Sequence, residues 1–251
     1  MNKSFKLNAA AKLVLMAGVA ATLAACGGGN DSPAPTPTTP PPPPPVSYAI
    51  SISGTAATGA AIANATVTAV CKTGTATAAS GADGAFTVRV AAPGEGPCIL
   101  SVTQNGVTLR SIAAGDGAKA NITPLTEMLV SYIAVSSGAG TGATPAQLAA
   151  NANVKTVVTN ATMMSATVNR LVQIVSTATG GSVAVPTDFL SAALVPKSAT
   201  NPGNAQDAIL EALKARNVVD ANGAVAPAVL TNVRNDAAKN TVTGGTGGSG
   251  N

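Results

Sequence analysis

Six consecutive prolines at positions 40–45 constrain the folding of this chain more than any other feature. Proline fixes φ and has no amide hydrogen, so this stretch can continue neither a helix nor a central strand. Together with the glycines and further prolines before it, it makes residues 26–46 an extended linker of polyproline II character. At about 3.1 Å per residue such a linker spans roughly 60 Å. A folded body is therefore expected only after position 46.

The residues before this linker have the three parts of an exported leader. Residues 1–12 carry three lysines, and residues 13–25 are an apolar run of 13 residues. A membrane-spanning helix needs about 20 apolar residues, so this run has the length of a signal-peptide core instead. Residues 1–25 are therefore predicted to be a signal peptide, cut between Ala25 and Cys26.

The sequence around the cut, Leu23-Ala24-Ala25-Cys26, resembles the lipobox of bacterial lipoproteins. The resemblance implies that the Cys26 thiol receives a diacylglycerol and that the freed amino group is then acylated, for example with palmitate. Gly27 stands where Asp would favour the inner membrane, which implies the outer membrane of a Gram-negative cell. The alternative is an ordinary secretory signal with an incidental cysteine.

Charge and composition exclude several classes of function. The net charge of +4 falls to +1 once the leader is removed, and the remaining basic residues are scattered singly, which argues against nucleic-acid binding. The chain has no histidine, which excludes Ser-His-Asp and Cys-His catalysis and imidazole metal sites. The sequence therefore predicts no enzyme, no cofactor and no metal.

Residues 47–123 show short alternating apolar runs separated by glycine-containing turns, a pattern typical of an antiparallel β-sandwich. Asn105-Gly106 predicts a two-residue hairpin. Cys71 and Cys98 lie beside apolar strand residues, and in an exported protein they are most simply a disulfide. A metal site at this cysteine pair is the alternative, and it would have no histidine to complete it.

The first part of this region is similar to the carboxypeptidase regulatory-like domain over about 65 residues. The similarity is carried by these residues: Gly54, Gly59, Ile62, Ala65, Asp83, Gly84 and Phe86. It implies a transthyretin-like β-sandwich that serves as a spacer, scaffold or binding module and is not itself a peptidase.

Residues 124–240 are predicted to be an alanine-rich bundle of four or five helices, followed by a disordered glycine-rich tail over 241–251. Thr123-Pro124 and Thr144-Pro145 are start signals, and Asn204 and Pro227 are expected to begin two later helices. The apolar period from Val154 to Val175 predicts uninterrupted helix, and 188–195 is a candidate short helix. The whole chain is thus α+β, with a signal peptide and linker in front.

Side chains with possible chemistry are few in this half. Asp207 and Glu211 share a helix face and are expected on a solvated surface beside Lys214. Lys197-Ser198 has the composition of a Ser-Lys dyad without its motif, and the Met163-Met164 pair is expected to pack in a core.

The sequence therefore predicts a lipid-anchored envelope protein with a non-catalytic structural, scaffold or binding role. Its expected partners are the membrane, through the lipid, and an unidentified envelope protein or glycan. A surface adhesin or carbohydrate-binding lipoprotein is one alternative, and a histidine-free envelope hydrolase is another.

Overall fold

The structure, a computed structural model, describes residues 46–242. The predicted signal peptide, Cys26 and nearly all of the linker lie outside these residues, as does the tail from 243 onward. Within 46–242 there are six strands followed by six helices, which confirms the α+β class. None of these helices combines the length and the apolarity that a membrane crossing requires.

The first, second and fourth strands alternate between buried and more exposed residues, as the period-two pattern predicts. Their bounds are β1 Tyr48–Thr55, β2 Thr66–Thr73, β3 Thr75–Ala79, β4 Ala85–Ala91, β5 Glu95–Gln104 and β6 Val107–Ala113. Strand β3 was not predicted, because its sequence TATAA has no large apolar residue to reveal the alternation.

The strands form two antiparallel sheets. One pairs β1 with β4, and the other has the order β3-β2-β5-β6. Gln104 pairs with Val107 across Asn105 and Gly106, both of which have positive φ, so the predicted hairpin is confirmed. Isoleucine and valine side chains of both sheets share one core, which includes Ile52, Val88 and Leu100.

The disulfide expectation agrees with this register. Cys71 and Cys98 are direct partners on neighbouring strands β2 and β5, and their sulfur atoms lie 1.99 Å apart. Both cysteines are buried in the core between the two sheets. The covalent link therefore ties the two central strands of the larger sheet at a sequence separation of 27.

The helices have bounds α1 Pro124–Ser136, α2 Pro145–Ala150, α3 Ala152–Thr159, α4 Ala161–Ala178, α5 Ala205–Ala215 and α6 Pro227–Lys239. The predicted caps are confirmed at Thr123, Thr144 and Asn204, whose side chains accept hydrogen bonds from backbone N–H groups of the first turn. Pro227 begins α6 as predicted.

Helix α1 is the centre of the second half. Eleven of its 13 residues are buried, including the polar Thr126 and Ser131. It packs against β6 on one side and against α4 and α6 on the other. The second core of the molecule gathers around it and takes in Ile99 and Ile112 from the outer face of the larger sheet. The larger sheet is therefore a middle layer, with the small sheet on one face and helices on part of the other.

Two expectations about the helices are wrong. The apolar period over 154–175 is interrupted, because Asn160 ends α3 in an extended conformation and caps α4 with its side chain, as Asn151 does between α2 and α3. Residues 188–195 form turns and extended chain instead of a short helix. There are consequently six helices in the described residues, where four or five were expected.

Candidate functional site

A polar groove on the outer face of the small sheet is the best-formed candidate site among residues 46–242. The outward-facing side chains of two strands form its floor. Ile50 and Ile52 of β1 point into the core, so Ser53 and Thr55 point outward. On β4, Val88 is buried and Thr87 faces outward in the same way, opposite Ser53. The two strands thus present a row of hydroxyl groups to solvent.

A segment at 116–122 extends this face on the free edge of β1. It runs parallel to the strand, with the amide of Ser53 donating to Ala118 O and the amide of Ala120 donating to Ser53 O. Ala120 is buried and Lys119, directly before it, is exposed, so the Lys119 side chain points outward next to Ser53. Because neighbouring strands lie about 4.8 Å apart, the backbones of Lys119 and Thr87 flank Ser53 at roughly 10 Å from each other.

Asn121 builds the wall of the groove. Its Oδ1 accepts from the Thr55 amide at 3.1 Å, and its Nδ2 donates to Phe189 O at 3.2 Å and to Ala192 O at 2.8 Å. Its own amide donates to Leu190 O at 2.8 Å. This buried side chain therefore fastens the irregular segment after α4 to the edge of β1.

The resulting groove has a volume of about 340 Å³. Side chains with hydrogen-bonding groups line it together with glycine, alanine, Phe86 and Leu194, and none of the lining residues is acidic. The side chains with hydrogen-bonding groups are Ser53, Thr55, Thr87, Lys119, Asn121 and Ser191. Gly54 lies in the floor, where an added Cβ would come within 2.2 Å of Ala120 O, so a side chain there would push 116–122 away from β1.

The same face carries an aromatic ring and a second cation beyond the groove. Tyr48 is 54% exposed at the start of β1, while the other described aromatic residues are buried. The guanidinium carbon of Arg89 lies 5.9 Å from the centre of the Tyr48 ring, within the range of a cation–π contact. Asp116 is nearby, and its Oδ1 accepts from the Ser51 amide at 2.8 Å.

The two cations on this face have no carboxylate partner among the residues that the structure describes. The ion pairs found there join other residues, and both Arg89 and Lys119 are exposed. The face thus offers two positive charges, several hydroxyl groups and one ring. Such a set can bind a negatively charged, hydroxyl-bearing ligand by complementary charge and hydrogen bonds.

A second cavity of about 360 Å³ lies on the other side of the segment that walls the groove. It is formed between α4 and the turn at 187–191, and Val168, Asn169 and Asp188 contribute to its lining. It brings together one carboxylate with apolar and amide side chains. This arrangement contains no second titratable group with which Asp188 could share a proton.

The residues singled out in the sequence do not converge on one place. Asp207 is only 2% exposed, so the expectation that it lies on a solvated surface is wrong. Gly203, at φ +83°, lies over its carboxylate, so that an added Cβ would come within 2.3 Å of Oδ2. Burial raises the pKa of Asp207, and the backbone N–H of Lys197 opposes that shift. Glu211 remains partly exposed and accepts from Lys214 at 3.3 Å.

Ser198 and the methionine pair have structural partners. The Ser198 hydroxyl accepts from the amides of Thr200 and Asn201 and closes a turn. Met163 and Met164 are half-buried and pack against the helical core, as expected. Among residues 46–242, no three His, Cys, Asp or Glu side chains are grouped so that they could hold a metal ion.

Sequence reasoning missed the groove and its residues. Lys119 and Asn121 lie in a stretch without clear periodicity, and their partners on β1 and after α4 are distant in sequence. The alternating run from Tyr48 predicts that its ring shares a face with Ile50 and Ile52, and this is wrong, because the pairing register of β1 shifts between Tyr48 and Ile50 and leaves the ring 54% exposed. The one available signal was the position of this aromatic residue at the very start of the first strand, where few neighbouring residues are available to cover a side chain.

Comparisons with family models, with characterised proteins and with solved structures find no match to this chain.

Proposed function

We propose that this protein is a lipid-anchored lipoprotein of the bacterial cell envelope whose body has a non-catalytic structural, scaffold or binding role. The observation that carries the proposal is the order of features at the N-terminus. A basic stretch, a 13-residue apolar run, Leu-Ala-Ala-Cys and a proline-rich linker follow one another without interruption. The thioether on Cys26 would hold the protein at the outer membrane, since several acyl chains at about 0.8 kcal/mol per CH₂ make detachment rare.

The position of the folded body fits a tethered protein. The first strand begins at Tyr48, three residues after the last proline of the run. The linker therefore leads directly into β1, and the whole body of 46–242 would be held away from the lipid surface at one point.

The packing of the strands supports the proposed likeness to the carboxypeptidase regulatory-like domain. Gly59 has φ +106°, and Gly84 has φ +79° with Ala56 O so close that a Cβ would come within 2.4 Å of it. Both positions therefore require glycine. Asp83 accepts from the Ala85 amide at 3.0 Å, which holds the turn that feeds Phe86 into the core. These contacts give the motif residues a structural purpose, in keeping with a module that acts as a scaffold.

A binding role is favoured over a purely mechanical one by the groove on the small sheet. A spacer needs no cavity with uncompensated cations. A carbohydrate-binding lipoprotein or adhesin, the first alternative, would use such a surface. The second alternative, a histidine-free hydrolase, would need an activated nucleophile, and the Ser198 hydroxyl is held by two backbone amides within its own turn.

The anchor is tested by comparing the parent with a Cys26→Ala variant in the native host, or in a Gram-negative bacterium with the lipoprotein machinery. We expect the parent to fractionate with outer membranes and its first residue to carry the mass of the acyl chains. The variant should lose both properties. Gly27→Ala keeps the thiol and serves as the matched control, expected to behave like the parent.

The proposal of a lipoprotein is contradicted if Cys26→Ala remains in the membrane fraction to the same extent as the parent. It is also contradicted if intact mass spectrometry finds an unmodified cysteine or an uncleaved leader in the parent. A non-catalytic role would be overturned by ester, peptide or glycoside turnover that is abolished by Ser198→Ala or by Asp188→Asn.

A further inference from the structure

The outer face of the small sheet presents its polar groups in one line. Tyr48 and Arg89 lie at one end, and the groove with Lys119 lies at the other. Arg89 and Thr87 are two residues apart on β4, so their backbones are about 6.6 Å apart. Tyr48 and Ser53 are five residues apart on β1, or roughly 16 Å. The surface is therefore long and narrow, a shape suited to an extended chain-like ligand.

The geometry points to a binding site for an acidic polysaccharide, specifically a chain of uronic-acid sugars, along this face. Each sugar of such a chain supplies a carboxylate, several hydroxyl groups and a ring face of C–H bonds. Arg89 and Lys119 would bind carboxylates, with the planar guanidinium able to make two parallel hydrogen bonds. The hydroxyl groups of Ser53 and Thr87 would exchange hydrogen bonds with those of the sugar, and the exposed Tyr48 ring would pack against a ring face.

Charge complementarity is the main argument for this occupant. The groove is lined by residues of which one is cationic and none is acidic, and both cations on the face have no ion-pair partner among residues 46–242. Asp116 at the edge is exposed and keeps its negative charge, because the Ser51 amide that donates to Oδ1 is neutral. An anionic ligand would therefore be attracted at Arg89 and Lys119 and would have to lie clear of Asp116, and opposite charges a few ångströms apart steer and orient such a ligand.

The hydroxyl row and the ring favour a glycan over an acidic peptide. An acidic peptide would be recognised by the two cations alone, or by pairing with the backbone of a free strand edge. In this face, β1 already pairs with β4 on one side and with 116–122 on the other, so a peptide strand could add only at the outer edge of β4, away from the groove and Lys119. The groove offers side-chain hydroxyl groups and not backbone groups. A sugar carries several hydroxyl groups of its own, each of which can donate to or accept from these side chains.

This inference rests on the binding role proposed above and is tested separately from the anchor. Calorimetric titration of the full chain in non-ionic detergent with an oligogalacturonate of defined length should give saturable binding. The methyl-esterified oligogalacturonate of the same length, which lacks the carboxylates, should bind at least tenfold more weakly. An oligoglutamate with the same number of carboxylates should also bind at least tenfold more weakly.

Four substitutions locate the site. Lys119→Gln and Arg89→Gln should each weaken oligogalacturonate binding about tenfold, which is the usual size of a charge-assisted hydrogen bond. Tyr48→Ala should weaken it about fivefold, while Tyr48→Phe should change it less than twofold because the ring is kept. All three positions are exposed, so the unfolding midpoint should stay that of the parent and exclude misfolding as the cause.

Lys239→Gln is the matched control for loss of one positive charge. Lys239 is exposed in the last turn of α6, a helix that packs on α1 and α4. The inference is overturned if Lys239→Gln weakens binding as much as Lys119→Gln, if oligoglutamate binds as tightly as oligogalacturonate, or if no saturable binding occurs. Cys26→Ala protein should bind the oligosaccharide like the parent, so that a failure of the anchor and a failure of the glycan site give different results.

Discussion

The strand half and the helical half of this body are held together by different means. Strands β1 to β6 enclose a core of isoleucine, valine and leucine that is closed by the disulfide between Cys71 and Cys98. The helices from α1 to α6 have no covalent closure in the described residues and are positioned by caps, by the burial of α1 and by a few polar contacts. An alanine-rich chain with few aromatic residues buries little apolar area per residue. The strand half adds a disulfide to its core, whereas the helical half adds helix caps and buried polar contacts.

The two halves also meet through one sheet. Val70 and Ile99 are a cross-strand pair on the outer face of the larger sheet. Each is the sequence neighbour of a disulfide cysteine, Cys71 or Cys98, which points to the opposite face. Ile99 and Ile112 belong to the helical core, while Cys98 and Leu100 belong to the core between the sheets. Any loosening of β5 therefore reaches both cores, because alternate residues of one strand serve each of them.

Removing the disulfide should produce the largest change. We expect the double variant Cys71→Ala/Cys98→Ala to lose about 3–4 kcal/mol of unfolding free energy, since a link over 27 residues restricts the unfolded chain. Urea unfolding followed by circular dichroism measures this. Because β5 serves both cores, strand and helix signals should fall in one transition.

The control for this experiment is Cys26→Ala, which replaces the third cysteine and leaves the disulfide in place. It should unfold like the parent. If the double variant loses its strand signal at low urea while the helical signal persists to the parent's midpoint, the two halves are independent domains, and the coupling through β5 is wrong.

The second prediction concerns the ion pair that joins the halves. Arg110 of β6 donates from Nε to Glu127 Oε2 of α1 at 2.9 Å, and its backbone amide donates to the same oxygen at 2.9 Å. Both side chains are largely buried, and the hydrogen bond to Glu127 raises the pKa of Arg110. Arg110→Gln should cost roughly 2 kcal/mol, because it leaves a buried carboxylate without its charged partner.

Lys72→Gln is the matched control on the same sheet. Lys72 pairs with Glu95 at 2.8 Å, but both side chains are more than 40% exposed. The pair is screened by water, so the unfolding midpoint should not move. Equal losses for Arg110→Gln and Lys72→Gln in chemical denaturation would show that Arg110 does not link β6 to α1 in the way described.

These contacts show which parts of the molecule could be predicted from sequence. The hairpin at Asn105-Gly106 and the caps at Thr123 and Thr144 were predicted correctly because each depends on residues within three positions of one another. Glu127 lies in the first turn of α1, and nothing close to it in sequence identifies its partner, Arg110. That partner lies on another element 17 residues away, and a favourable helix dipole already accounted for an acidic residue there.

Other parts could not be predicted, for two reasons. Some depend on contacts between residues far apart in sequence, and one is a helix break that falls inside a continuous apolar period. Valines continue at helical spacing across Asn160, so the period gives no sign that α3 ends and α4 begins there. The groove depends on Asn121 holding a segment about 70 residues later in the chain. Asp207 is covered by the backbone of Gly203. Gly203 belongs to the loop before α5, and helical periodicity says nothing about where that loop lies.

Asp207 gives the third and smallest prediction. Its Oδ1 is buried and has no hydrogen-bond partner among the described residues, and burial raises its pKa. In the folded protein it therefore holds its proton to a higher pH than in the unfolded chain, where its pKa is about 3.9. At a pH between these two pKa values, unfolding releases a proton. The free energy of unfolding therefore falls as the pH rises from the unfolded pKa to the folded pKa, and it stays lower by that amount at all higher pH values.

The substitution Asp207→Asn removes this titration. At pH 7 we expect the variant to be more stable than the parent by up to about 1 kcal/mol, because a charged group with a buried, unpaired oxygen is replaced by a neutral one. At pH 3, below both pKa values, the parent is protonated in both states and the two proteins should have nearly the same unfolding midpoint. Glu211→Gln, one turn further along α5 and partly exposed, is the comparison; its negative charge also raises the pKa of Asp207, so its removal should give a smaller gain than Asp207→Asn. If Asp207→Asn is less stable than the parent at pH 7 but equal to it at pH 3, the Asp207 carboxylate is favourably bound as an anion, and the helical half then contains a stabilising buried charge of its own besides the Arg110–Glu127 pair that joins the halves.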